Sequence, residues 1–355
     1  MSRWWVKFPM HNVELDGDIT AGSVRLRPVE TPEEMPEGEV PSATGWASFR
    51  HTADAIVDLG EREVTPTNAG KDAYELGKDA WAKFRPVHDA LRFLEQHDFA
   101  VSRCTLHNTP ECDDQPRAEE GLPLIWTVPT GSRIRLALAE RQEDVLEAAA
   151  EKWADDEIAE TTRFEYAVNW QFASMSRWEP AEAQYIKQWI AFEILYNRWC
   201  DEAPDAPKDT EIKPERVRNC VRKAVQEGLQ DLVANGTISK KQAKAVKGAV
   251  HSVTRIEAHR KAKAFLTHYG VRDVGNEWLR ECISLRNDLM HGRTLTEAYG
   301  KLKAQPSRSQ DVHSRILRLR ELVNRYVMSL IGYEPNSWDF AALSVGRYVK
   351  KGSAQ

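Results

Sequence analysis

Cysteine is scarce in this sequence. The 355 residues contain five, Cys104, Cys112, Cys200, Cys220 and Cys282, and none forms a CxxC pair. A scattered, odd-numbered set argues against a disulfide framework and favours a reducing cytoplasm. Long apolar runs are also missing. The strongest, WIAFEILY, spans eight residues and contains Glu193, far short of the roughly 20 that a membrane-crossing helix needs. The opening stretch MSRWWVKFPMHNVELDGD lacks the apolar centre of a signal peptide. Positive charge is not in excess: the net charge of −5 argues against a protein that coats nucleic acid with its whole surface, while leaving room for a local basic patch. GxxxxGK[ST], GxSxG and HExxH do not occur, so NTPase, α/β-hydrolase and zincin readings have no local support.

What is present divides into two parts. The length fits two domains, and the sequence changes grammar between them. Residues 1–138 read as an α+β domain: WWVKF, SVRLRPV, GWASFR, ADAIVDL, VSRCTLH, LPLIWTV and SRIRLALA are rich in β-branched and aromatic residues. One helix is predicted among them over 71–96, with Pro86 expected to kink or split it. Residues 139–332 are almost wholly helical in period, with helices predicted near 140–160, 161–176, 180–200, 214–233, 239–268, 274–291 and 311–332. The remainder, 333–355, is a tail that reads as a short strand or a docked segment. Charge separates the helical part further. Residues 140–205 hold 16 acidic against 6 basic side chains, a net of −10, and residues 207–270 hold 14 basic against 6 acidic, a net of +8. Such asymmetry points to two faces with different partners.

The segment RNDLMHG, Arg286 to Gly292, has two readings. It can be a helix end, with a histidine near the C-terminus and a glycine cap, or an arginine and a histidine set apart for catalysis. In GNEWLRECISLRNDLMHGR the apolar residues Trp278, Leu279, Cys282, Ile283, Leu289 and Met290 form a helical stripe, and Arg286 occupies a place within it. A guanidinium there needs a carboxylate or an open cleft, because an unpaired buried charge costs several kcal/mol. Glu193 interrupts a second stripe, Tyr185, Ile186, Trp189, Ile190, Phe192, Leu195, Tyr196 and Trp199. The economical expectation is that Glu193 and Arg286 meet, either as a structural pair or as a carboxylate orienting a catalytic arginine. Asn287 and His291 share a helix face. Arg286 and His291 lie about 140° apart around the axis, so they converge only through a long reach, a distortion near Gly292 or a second copy of the site.

An arginine, a polar residue and then a histidine near a helix end in an all-α domain resemble the signature of HEPN domains. WIAFEILYNRW upstream of LRNDLMHG is similar to the ApeA-like group of prokaryotic defence proteins, and the likeness covers about residues 160–332. His291 is followed by Gly292 and Arg293 rather than by the x-Tyr of the toxins that a nucleotidyltransferase modifies, so the likeness does not extend to that control. The resemblance implies an all-α HEPN-like bundle and a cytoplasmic homodimer that cleaves RNA without metal or cofactor. Arg286, Asn287 and His291 would be the catalytic residues. Beside the resemblance, which does not reach the N-terminal domain, that domain is expected to sense or bind an activator or partner, and Glu193 is expected to be a supporting carboxylate. A non-catalytic HEPN-like dimerisation or partner-binding subunit is the alternative. Histidine exchanges protons near neutral pH, and arginine stays charged while binding phosphoryl oxygens bidentately.

Weaker signals remain. Lys240, Lys244, Lys247, His251, Arg255 and His259 recur at helical spacing and form either an RNA-binding face that tracks phosphates or a solvated one. Cys104, His107 and Cys112 are a conceivable metal group, but Cys104 and His107 are an odd number apart in a strand and no fourth ligand is evident; no metal site is expected. Trp4, Trp5, Trp46, Trp81 and Trp126 either stack a base or nucleotide or pack a core.

Overall fold

The computed structural model describes residues 2–34, 50–63, 69–96, 99–102, 104–113, 116–120, 141–175, 179–204, 206, 215–253, 258–299, 308–339 and 345–350. The segments GWASFR (except Arg50), LPLIWTV and SRIRLALA, together with the 138/139 boundary, fall outside them, as do Trp46 and Trp126.

The N-terminal part is an antiparallel sheet crossed by a helix. Strands β1 (Ser2–His11), β2 (Ile19–Ala21), β3 (Val24–Glu34) and β4 (Arg50–Arg62) precede helix α1 (Ala69–Glu95), and β5 (Ala100–Val101), β6 (Cys104–His107) and β7 (Ala118–Glu120) follow it. The order across the sheet is β2-β3-β4-β1-β6-β7, with β5 also on β1. The two-residue period of a strand sends Val6, Phe8 and Met10 to one face, where they are buried. There Phe8 stacks on Phe84 of α1 at 5.2 Å between ring centroids. Pro86 does not split α1, which runs unbroken from Ala69 to Glu95. Ala80, Phe84, Val87 and Leu91 are buried on both sides of the proline, and their packing outweighs the roughly 3 kcal/mol that an interior proline costs.

The rest is mostly helical: α2 (Gln142–Trp153), α3 (Asp156–Thr162), α4 (Phe164–Ser174), α5 (Ala181–Glu202), α6 (Glu215–Ala234), α7 (Lys240–Val253), α8 (Ala258–His268), α9 (Asn276–Met290), α10 (Leu295–Tyr299) and α11 (Arg308–Leu330). A hairpin of β8 (Tyr333–Asp339) and β9 (Val345–Lys350) is the last element among the described residues. The helix predicted over 140–160 is broken at Asp155, whose side chain caps α3 by accepting the backbone N–H of Ile158 at 3.0 Å. Helix α5 is central, touching α3, α4, α8, α9 and α11. This explains why its apolar stripe is wide: Tyr185, Trp189, Phe192, Leu195 and Tyr196 are all buried.

One apolar core runs through both parts, from the sheet through α1, α2 and α4 to α5, α9 and α11. A buried amide triangle reinforces the junction. Gln171 on α4 donates to Asn324 on α11 at 2.7 Å and to Gln96, just past α1, at 3.1 Å. Asn324 in turn donates to Gln96 at 3.1 Å.

Candidate active site on α5 and α9

Helix α5 places Trp189, Glu193 and Tyr196 within two turns, so all three side chains share a face. The indole N–H of Trp189 donates to Glu193 Oε2 at 3.1 Å and the phenol of Tyr196 to Oε1 at 3.2 Å. From α9, Arg286 Nη2 donates to the same Oε2 at 2.6 Å. The carboxylate thus accepts three donors while its side chain remains 25% exposed, against 30% for Arg286. Arg286 Nη1 also donates to Asn287 Oδ1 at 2.9 Å. Burial, and then the neighbouring charge of Glu193, push the Tyr196 phenol far above its ordinary pKa, so it stays a neutral donor. The expected meeting of Glu193 and Arg286 therefore occurs. A second tie, Tyr185 OH to the Cys282 carbonyl at 2.8 Å, fixes α5 against α9 beside it.

The end of α9 is a complete Schellman cap. Gly292 takes φ +77°, its N–H bonds the Leu289 carbonyl at 3.0 Å, and the Arg293 N–H bonds the Asp288 carbonyl at 3.1 Å. Asp288 and Arg293 also form an ion pair across the turn. His291 is the capping residue itself, at φ −90° and ψ 15°. Its ring is exposed and makes no hydrogen bond among the described residues. Glu193, Arg286 and Asn287 are brought together through their side chains, whereas the His291 ring bonds none of them within one chain; its backbone N–H bonds the Asn287 carbonyl at 3.1 Å. The stripe on α9 also differs from the expected one. Leu285 and Asp288 are buried, and Met290 is 57% exposed.

Sequence reasoning missed Arg315 on α11. It is buried, with Nε to Asp311 and Nη2 to Glu281 both at 2.8 Å, and Nη1 to Cys282 Sγ at 3.3 Å. Its position between Val312, Ile316 and Leu319 breaks an apolar stripe just as Arg286 does. A charge in a stripe therefore signals burial and pairing, and only exposure separates the two arginines: Arg286 can meet a solute, whereas Arg315 is enclosed. Burial raises the Cys282 thiol to about 11, so it is protonated at neutral pH.

The other candidates lie elsewhere. Lys240, Lys244 and Lys247 are exposed on α7. His251 belongs to the backbone of α7, its side chain is not among those described, and Arg255 lies outside the described residues. His259 departs from the basic face: it is buried on α8, where Nε2 accepts from Arg280 Nε at 3.2 Å. Cys104, His107 and Cys112 are buried, with His107 bonded to Thr105 at 2.9 Å, and no group of three or more metal-ligating side chains exists among the described residues. Trp4 and Trp81 pack against the core. Trp5 lines a depression of about 510 Å³ with Arg25, Asp58 and Lys83, which shares no residue with the α5–α9 site. No helix among the described residues is long and apolar enough to cross a membrane. Comparison with protein-family models, curated proteins and solved structures finds no match to this chain.

Proposed function

We propose that the helical part is a HEPN-like endoribonuclease of a prokaryotic defence system, acting in the cytoplasm as a homodimer, with the N-terminal sheet as the part that receives an activator or partner. One observation carries the reading: Arg286 is anchored by Glu193 but remains accessible, at a helix end that also presents Asn287 and an exposed, unbonded His291. One N–H of Nη2 on Glu193 and one of Nη1 on Asn287 leave other guanidinium N–H groups for phosphoryl oxygens. Removing the side-chain entropy of a long arginine in advance lowers the cost of ordering it around a transition state.

The chemistry follows from the residue types. His291 takes the proton of a ribose 2'-hydroxyl as its oxygen attacks the adjacent phosphorus. Arg286 balances the charge that builds on the non-bridging oxygens. The bond to the 5'-oxygen breaks, and that oxygen receives a proton from a second histidine, which a two-fold partner would supply. The products are a 2',3'-cyclic phosphate and a 5'-hydroxyl. Asn287, bonded to Arg286, aligns the guanidinium or the ribose.

The complete cap at Gly292 favours a second reading, a non-catalytic HEPN-like subunit for dimerisation or partner binding, because His291 is then accounted for as a helix end. Incubation of the full chain with total RNA, with and without EDTA, separates the two. Cleavage that leaves cyclic phosphate ends and vanishes in His291→Ala and Arg286→Ala supports the enzyme. No cleavage with any activator, together with normal assembly of both variants, supports the scaffold.

A further inference from the structure

Helices α6 and α7 form a hairpin whose turn is specified in unusual detail. Gly236, at φ +71°, ends α6 with the Thr237 N–H on the Leu232 carbonyl at 2.9 Å. Ser239 and Gln242 then open α7 as a reciprocal capping box, at 2.8 and 3.2 Å. Among the described residues the hairpin makes few contacts with the rest of the chain. Each helix packs mainly on the other, and none of their described side chains is buried. Val217, Leu232 and Val246 are 41%, 40% and 44% exposed. In proteins most helical stability comes from packing an amphipathic face rather than from propensity, so an amphipathic pair with so firm a turn is built to cover something.

The same chain carries a complementary surface. Helices α2, α3 and α4 lie in the stretch of net charge −10, with Glu151, Glu157 and Glu160 exposed. Tyr166 and Trp170, four residues apart on α4, are 64% and 38% exposed. The hairpin carries exposed lysines and exposed aliphatic side chains; helices α2 and α3 carry exposed carboxylates and α4 carries exposed rings. Both charge and apolarity match, whereas phosphate tracking alone would leave the aliphatic residues without a purpose.

We infer that the α6–α7 hairpin is an arm that docks on the acidic α2–α4 surface of a second copy of this chain, reciprocally about a two-fold axis. Each dimer then holds two such contacts, one per arm. The inference stands whether or not the α5–α9 site cleaves RNA.

Two charge reversals of exposed residues test it: Lys240→Glu/Lys244→Glu/Lys247→Glu on the arm and Glu151→Lys/Glu157→Lys/Glu160→Lys on the surface, with circular dichroism to confirm folding. In sedimentation velocity the wild type should be a dimer that weakens as salt rises, and each variant alone should be a monomer. An equimolar mixture of the two variants should regain a one-to-one dimer, because each arm again meets the opposite charge. A monomeric wild type at every concentration, a dimer that survives either reversal, or a mixture that stays monomeric would each overturn the inference. So would loss of RNA retention in the arm variant with its oligomeric state unchanged, which would make α7 an RNA surface. A dimer that survives reversal leaves the ribonuclease reading intact, and loss of RNA cleavage in His291→Ala leaves the arm intact, so the two fail separately.

Discussion

Arg286 and Glu193 stand 93 residues apart in the chain and meet at 2.6 Å, with Trp189 and Tyr196 completing the carboxylate's partners. The pair is neither a surface ion pair, worth under about 1 kcal/mol, nor a sealed one. Glu193→Ala should therefore destabilise the chain by about 1–2 kcal/mol, since it orphans the buried Trp189 N–H and leaves Arg286 half-buried without its carboxylate. Glu193→Gln should recover part of this, because an amide oxygen still accepts from Trp189 or Tyr196. Urea unfolding with unchanged m-values measures both, and equal midpoints for wild type and Glu193→Ala would contradict the arrangement.

His291 sits on the surface with no side-chain bond among the described residues. His291→Ala should leave stability within about 0.5 kcal/mol of wild type yet lower RNA cleavage by roughly 10² to 10⁴ fold. Matched thermal melts and single-turnover cleavage assays check the separation. A large fall in melting temperature would assign His291 a structural role instead.

His11 gives a pH signature. Burial first, and the facing His51 second, lower it to about 4, while Asp54 pulls in the opposite direction. The folded state holds His11 neutral while the unfolded chain protonates it near pH 6.5. Its contribution to stability is therefore full above about pH 6.5 and is lost as pH falls toward about 4, a total on the order of 3 kcal/mol. Urea midpoints at pH 7 and pH 5 should diverge in wild type, and should differ less in His11→Gln.

The amide triangle of Gln96, Gln171 and Asn324 predicts cooperative behaviour. Gln171→Leu removes both donor bonds from Gln171 and should cost about 1–3 kcal/mol, because the buried Asn324 Oδ1 is left unsatisfied while Gln96 keeps the Asn324 donor. Thermal unfolding should remain a single transition in wild type, followed by tryptophan fluorescence and by far-ultraviolet circular dichroism. Two separated transitions would show that the continuous core does not couple the sheet to the helices.

Much of this was legible in residue order. The period-two strands, the helical spacing after residue 140 and the pairing of Glu193 with Arg286 follow from patterns in which burial dictates residue type. Other features did not. Pro86 obeys a local rule that tertiary packing overrode. Asp155 broke a predicted helix by capping its second half, a local signal hidden inside a run of acids. The amide triangle joins positions 96, 171 and 324, and no periodicity links residues so far apart. Arg315 shows the limit of the stripe argument: it marks buried charge faithfully but cannot tell an enclosed guanidinium from an accessible one. The exposure of His291 was likewise invisible, since the cap and the catalytic readings use the same residues.

The uninterrupted core has a consequence for modularity. Helix α1 gives one flank to the sheet and another to α2, while the residue just beyond it is bonded to α4 and α11. The helical part is therefore not a portable cassette that could be excised and grafted behind a different N-terminal part. Exchange of the N-terminal part between such chains would have to carry α1 and its partners on α4 and α11 along with it, so sequence change on either side of that junction is expected to be correlated.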